Sequence, residues 1–115
     1  MKNQILIGIA FIVISLQSCY QPGDIQIQNN IDQVKISDVR WGSNYIADEL
    51  LPGEASSLLT IPKYNERLPS SHKITFRMTA NNKSIFLETD EEFLLDQGDE
   101  LIIVLDNDTP VSNPN

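Results

Sequence analysis

From Ile25 onward, the chain consists of short stretches in which hydrophobic and polar residues alternate, a pattern typical of half-buried β-strands. The clearest stretch is 72–80, where every second side chain from Ile74 on is apolar. Shorter or less regular stretches of the same kind occupy 24–31, 45–51, 55–61, 83–89 and 93–95. Because no helical periodicity follows Leu16, the pattern predicts an all-β protein.

The second predicted strand changes the phase of its hydrophobic positions. Val34 and Ile36 share one face, whereas Val39 and Trp41 share the other. A β-bulge near Ser37-Asp38 inserts one extra residue and brings all four side chains to the same face. We therefore predict a bulged strand with Trp41 in the core.

Turn residues separate the predicted strands. Pro followed by Gly, or two asparagines in a row, suits tight turns because these residues accept the backbone angles that turns require. The predicted turns are Gly42-Ser43-Asn44, Pro52-Gly53, Asn81-Asn82, 90–92 and Gln97-Gly98-Asp99. The longest break, 62–71, is predicted to be an exposed loop. The run 101–105 is apolar at every position, which predicts a central strand covered on both faces.

About seven short strands with regular turns predict a small antiparallel β-sandwich, immunoglobulin-like in architecture, that follows an N-terminal signal helix. A small open β-barrel is the alternative. The sandwich is expected to span 25–106, and 107–115 to form a loose polar tail. The chain has one cysteine, so packing rather than an internal disulfide must hold the fold together.

The N-terminal residues are predicted to form an export signal. Lys2 supplies a positive charge, and the uncharged run 5–16 is long enough for a signal peptide but too short to span a bilayer. Leu16-Gln17-Ser18-Cys19 resembles the lipobox of bacterial lipoproteins, which combines an aliphatic residue, a tolerant position, a small residue and a cysteine.

That resemblance implies a processed, lipid-anchored protein. Residues 1–18 would be the signal peptide, with Leu16 and Ser18 recognised by the signal peptidase. Cys19 would carry a diacylglyceryl group and often a further fatty acid such as palmitate, and 19–24 would be the tether. Two or more acyl chains anchor stably to a membrane, whereas one does so only marginally. Tyr20 rather than Asp follows the cysteine, which favours an outer membrane and its periplasmic face.

The composition narrows the range of partners. The net charge is −8, and the segment before Cys19 holds only one charged side chain, so the remainder is more acidic still. Nucleic-acid binding is disfavoured because phosphate contacts require clustered lysine and arginine. The acidity favours solubility and is compatible with a basic partner or divalent cations.

Few residues suggest catalysis or metal binding. His72 is the single histidine, beside Ser70 and Ser71, and neighbours in a loop rarely form a catalytic triad. Asp106-Asn107-Asp108 offers oxygen atoms for calcium but lacks the remainder of an EF-hand loop. We therefore expect no enzyme, no catalytic residues, no metal and no cofactor.

The sequence leaves three kinds of function open. The first is a lipid-anchored, non-enzymatic interaction or structural module of the cell envelope with an unidentified protein partner. The second is a glycan- or peptide-binding module that uses Tyr45, Tyr64 and the 62–71 loop. The third is a periplasmic inhibitor of a basic hydrolase, suggested by the negative charge alone.

Overall fold

Ten β-strands account for the regular structure in the computed structural model, which describes residues 21–61 and 67–114. The strands are β1 (Gly23–Asn30), β2 (Lys35–Trp41), β3 (Asn44–Leu50), β4 (Leu59–Ile61), β5 (Ser70–His72), β6 (Ile74–Ala80), β7 (Lys83–Thr89), β8 (Phe93–Leu95), β9 (Glu100–Asp106) and β10 (Val111–Ser112). Nothing in these two ranges is a helix with the length and hydrophobicity needed to cross a membrane.

The strands form three sheets. One sheet has the order β4-β1-β9, a second has the order β10-β7-β6-β2-β3, and β5 pairs with β8 in a third. All pairs are antiparallel except β1 with β9, which is parallel and was not predicted. The predicted small β-sandwich is confirmed, and the sheets stay separate rather than closing into a barrel.

The hydrophobic core draws on all three sheets. Alternation along each strand turns every second side chain inward, so that short strands still bury aliphatic and aromatic groups. The fully buried large side chains are Trp41, Phe76, Ile25, Ile27, Ile36, Ile61, Ile74, Leu95, Leu105 and Val39. The predicted position of Trp41 in the core is confirmed.

The bulge predicted in the second strand is present. The pairing of β2 with β6 shifts register between Ser37 and Arg40, and Asp38 adopts a positive φ of 52°. Ile36 and Val39 are consequently both fully buried despite their opposite sequence phase. The cost of the unusual backbone angle is modest, because aspartate tolerates the left-handed region better than most residues.

Two predicted turns also have the expected geometry. Asn81 and Asn82 both have positive φ, 53° and 64°, as the tight turn between β6 and β7 requires. At Pro52-Gly53, the Glu54 N–H donates to the Leu51 carbonyl at 2.9 Å, and Gly53 has a φ of 88°.

The position predicted for the apolar run 101–105 is wrong. β9 lies at the end of its sheet instead of the centre, and the side chains of Ile102 and Val104 are 52% and 42% exposed. Only Ile103 and Leu105 are buried in this run. Ile85 on β7 is also 40% exposed, although it shares its strand face with the buried Leu87.

Two segments predicted to be irregular contain strands. The loop predicted over 62–71 ends in a buried Leu68 and in β5, while 62–66 lie outside the described residues. The predicted tail over 107–115 contains β10, which pairs with Thr89 and Glu88 of β7. The sandwich therefore extends beyond residue 106, because the chain turns back after β9.

The start of the domain is fastened to the turn before β9. The Gln21 N–H donates to the Gln97 side-chain oxygen at 3.1 Å, and the Gly98 N–H donates to the Pro22 carbonyl at 3.0 Å. Gly23 is buried, and a Cβ there would lie 2.9 Å from the Asp96 carbonyl oxygen. The predicted tether over 19–24 is therefore wrong at its C-terminal end, where residues 21–24 belong to the domain. We call these contacts the N-terminal clasp.

Candidate interaction surface

The outer face of the three-stranded sheet is set by the register between β1 and β9. Gln26 lies beside Ile102, and Gln28 lies beside Val104. Since side chains alternate along a strand, these four residues share the face that points away from the core. The face therefore has an aliphatic row on β9 and a row of glutamines on β1.

The aliphatic row is exposed to solvent, while the neighbouring glutamines are half-buried. The Gln26 side chain donates from Nε2 to the Ser56 carbonyl at 2.7 Å, which holds its amide toward the β4 side of the sheet. Scattered exposed aliphatic residues are normal on protein surfaces. Two on one face of an edge strand are a different case, because they lie beside backbone N–H and C=O groups with which another strand can pair.

β9 is an edge strand without the usual protection. Within 21–61 and 67–114, β1 is the one strand that pairs with it. Its seven residues include no proline, no lysine and no bulge. The other edge strands are short or charged: β4, β5 and β8 have three residues each, β10 has two, and β3 carries the exposed acids Asp48 and Glu49. Short or charged edges resist pairing with other chains, and β9 lacks that resistance between its two ends.

Charge is distributed unevenly between the two large sheets. The strands of the three-stranded sheet contain Asp24, Glu100 and Asp106 but neither lysine nor arginine. The strands of the five-stranded sheet contain four basic residues, Lys35, Arg40, Arg77 and Lys83, which balance their four acidic residues, Asp38, Asp48, Glu49 and Glu88. The three-stranded sheet is therefore the acidic side of the sandwich. We call its exposed part, formed by Ile102, Val104 and the flanking acids Glu100 and Asp106, the β9 surface.

The histidine lies on β5 in a structural setting. The Ser70 hydroxyl is 3.0 Å from His72 Nε2, and strand alternation places these two side chains on the same side of β5. The imidazole ring stands edge-on to Trp41, with 4.8 Å between ring centroids. The Trp41 Nε1–H donates to the Phe93 carbonyl at 3.0 Å, which ties β2 to β8. His72 thus packs between elements of the fold.

Tyr45 and Trp41 do not form a joint stacking surface. Trp41 is fully buried, whereas Tyr45 is 46% exposed on β3. The Tyr45 hydroxyl donates to Asp48 Oδ1 at 2.8 Å, and the Arg40 guanidinium lies 5.5 Å from the ring centroid. The hydrogen bond to the Asp48 carboxylate is the main cause that raises the pKa of Tyr45 from 10.0. Both polar neighbours hold the phenol ring against the outer surface of the five-stranded sheet.

The acidic residues at the end of β9 and just beyond it, Asp106 and Asp108, belong to a turn. Asp106 Oδ1 accepts from the Asp108 N–H at 2.9 Å and from the Thr109 hydroxyl at 3.1 Å. The Asn107 side chain exchanges two hydrogen bonds of 3.0 Å with the backbone and side chain of Asp32. The Asp106 and Asn107 side chains therefore stabilise the chain reversal. Among the described residues, no three or more His, Cys, Asp or Glu side chains are grouped so that they could hold a metal ion.

An apolar cleft of about 210 Å³ opens between the two large sheets next to this turn. Phe76, Met78, Leu87 and Leu105 contribute to its walls, and Asp106 and Thr109 lie at its polar side.

Several predicted residues lie outside the described part of the chain: Leu16, Ser18, Cys19 and Tyr64. The β9 surface was missed at the sequence level because all five residues 101–105 are apolar. The available signal was on one face alone, where Glu100 and Asp106 continue the row of Ile102 and Val104 at both ends. Charged residues at both ends of one face are unusual for a strand buried on both sides. Comparison with protein-family models, with curated proteins and with solved structures finds no match.

Proposed function

We propose that this protein is a lipid-anchored, non-enzymatic interaction module of the cell envelope. Cys19 carries the lipid after removal of residues 1–18, and the sandwich binds a protein partner at the membrane surface. The periplasmic face of an outer membrane is the proposed location. The support for the anchor is the lipobox-like sequence ending at Cys19.

The observation that supports an interaction role is the β9 surface. A seven-residue edge strand with two exposed aliphatic side chains favours contact with another protein. The described polar residues near the single histidine and in the acidic turns are engaged in contacts that hold the fold together. A binding role therefore uses the surface without requiring chemistry at these residues.

Metabolic labelling with an alkyne analogue of palmitate tests the anchor. The wild-type protein should take up label and fractionate with membranes. Cys19→Ala should lose the label and the cleavage after Ser18, and should either stay as an uncut precursor held weakly by 5–16 or be released by another peptidase. Ser43→Ala, a change in an exposed turn, is the matched control and should behave as wild type. Unlabelled wild-type protein, or a labelled Cys19→Ala variant, would contradict the lipid anchor.

Crosslinking in intact cells tests the interaction role. Purification of the crosslinked protein under denaturing conditions should recover the same partner in independent experiments. Cys19→Ala should reduce that yield, because a protein released from the membrane meets a membrane-associated partner less often. Repeated recovery of no specific partner would count against an interaction module.

A further inference from the structure

The free edge of β9 presents backbone groups as well as side chains. In a parallel pair, alternate residues bond to the neighbouring strand, so the N–H and C=O groups of the intervening residues point to the other side. β1 occupies one side of β9, from Asp24↔Glu100 to Asn30↔Asp106. At the end of the strand, the Asp106 N–H donates to the Thr109 hydroxyl at 2.9 Å. The stretch 100–105 is thus the part of the edge that a further strand would pair with.

The side chains along this edge define what a pairing strand would need. Ile102 and Val104 are two residues apart on the outer face, so a matching strand would have apolar side chains at alternate positions. Glu100 and Asp106 are exposed at the two ends of the strand. Opposite charges across neighbouring strands are favourable, which calls for lysine or arginine at both ends of the partner segment.

A second copy of the same chain fits this edge poorly. Antiparallel pairing of two β9 strands about Ile103 would place Glu100 of each copy opposite Asp106 of the other. Like charges directly opposite each other destabilise a strand pair, and here they would meet at both ends. The net charge of −8 adds a general repulsion between copies.

We propose that β9 accepts an extended segment of another protein as a fourth strand of the three-stranded sheet. The segment has aliphatic residues at alternate positions and basic residues at both ends. Backbone hydrogen bonds supply affinity, and the side-chain pattern supplies selectivity. This inference deepens the proposed function and depends on it for the existence of a partner.

Titration of the full chain, purified in detergent, with the capped peptide KTVTVTK tests the proposal, because its lysines and valines lie on one face as Glu100, Ile102, Val104 and Asp106 do on β9. Binding should protect alternate amides within 100–105, those that point away from β1, from hydrogen exchange. Added salt should weaken binding because the end contacts are ionic. The acidic peptide ETVTVTE should bind at least tenfold more weakly. KTVTVTK with every backbone amide N-methylated should not bind, since it cannot donate hydrogen bonds from either edge.

Two matched variants locate the binding. Val104→Lys should weaken binding of KTVTVTK at least tenfold, because lysine on an edge strand blocks pairing and repels the peptide. Ile85→Lys makes the same change at an exposed aliphatic residue on β7 and should leave binding unchanged. Both variants should unfold cooperatively like wild type, since neither side chain is in the core.

Three outcomes would overturn the proposal: no binding of KTVTVTK, equal weakening by Ile85→Lys, or undiminished binding of the N-methylated peptide. Self-association of the protein that Val104→Lys abolishes would identify a second copy as the occupant and would also overturn it. Recovery of a crosslinked partner in cells together with no peptide binding would leave the interaction role standing and refute only this mode of docking. Peptide binding without acyl labelling would refute the anchor alone.

Discussion

Asn29 stabilises the fold through a buried side chain in which every polar atom has a partner. It occupies an inward position on β1 and is fully buried. Its side-chain Nδ2 donates to the Leu50 carbonyl at 3.0 Å and to the Val34 carbonyl at 2.8 Å, and Oδ1 accepts from the Ile31 N–H at 3.1 Å. One amide therefore joins the end of β1 to the start of β2 and the end of β3.

Asn29→Ala should destabilise the protein by about 2–4 kcal/mol. An unpaired, buried polar group costs about 1–3 kcal/mol, and the Leu50 carbonyl is the buried one of the three partners. The Val34 carbonyl and the Ile31 N–H are partly buried, so water can replace the lost bond and each adds less than about 1 kcal/mol. For a domain of this size, the loss corresponds to a fall in Tm of roughly 10–25 °C.

Asn29→Asp separates hydrogen bonding from size. An ionised carboxylate cannot donate to the carbonyls of Val34 and Leu50, and its burial is unfavourable, so this variant should be less stable than Asn29→Ala at pH 7. Both effects raise the folded-state pKa of the introduced carboxyl above its unfolded value of about 3.9. Between these two pKa values the folded state binds more protons, so stability falls as pH rises. The deficit relative to wild type should therefore shrink on acidification.

Urea unfolding followed by Trp41 fluorescence measures these differences at several pH values. Asn30→Ala, one position along on the exposed face, is the control and should change stability by less than about 0.5 kcal/mol. A loss below about 1 kcal/mol for Asn29→Ala would refute the assignment of a buried hydrogen-bond network. A deficit of Asn29→Asp that stays constant with pH would refute the argument from charge.

Three further changes test other contacts. Gly42→Ala should lower the thermal midpoint, because Gly42 has a φ of 61° and its new Cβ would lie 2.5 Å from the His72 ring. Replacement of Ser43 by alanine in the same turn should have little effect, and an unchanged midpoint for Gly42→Ala would contradict the close approach. Thr89→Val should cost about 1–3 kcal/mol in urea unfolding, because its hydroxyl accepts from a buried backbone N–H at 2.9 Å; a neutral effect would show that the N–H is satisfied otherwise. An absorbance titration, corrected with the spectrum of Tyr45→Phe, should give Tyr45 a pKa above 10.0, since the Asp48 carboxylate stabilises the protonated phenol. In Asp48→Asn this pKa should fall toward 10.0. An unchanged pKa in Asp48→Asn would contradict this cause.

Local features of the fold were predictable because they depend on neighbouring residues. The shift of phase between Ile36 and Val39 required an extra residue, and the bulge with Asp38 at positive φ supplies it. Asn81-Asn82 favours the observed two-residue turn, because asparagine tolerates positive φ better than most residues. In both cases the residues themselves restrict the geometry.

Features that depend on distant residues were not predictable. The burial of Ile102 depends on whether a strand lies beyond β9, and nothing within 101–105 carries that information. Asparagine is typical of turns and solvent-facing positions. Asn29 nevertheless points inward, where its side-chain amide donates to the carbonyls of Val34 and Leu50, which lie later in the chain. The β9 surface and the buried amide were missed for this same reason: their environment is made by tertiary pairing.

If Cys19 carries the proposed lipid, the N-terminal clasp limits how far the domain can stand from a bilayer. Gln21 is fixed to Gln97, and Cys19 precedes it by two residues, which span at most about 7 Å. Since β1 and β9 run parallel, β9 starts at the clasped end, and its seven residues extend over about 23 Å. With a lipid on Cys19, the whole free edge of β9 would lie within about 30 Å of the headgroups, the sum of these two lengths. A partner would then have to offer its segment at the membrane surface, which favours juxtamembrane stretches of neighbouring membrane proteins over proteins that remain deep in the surrounding compartment.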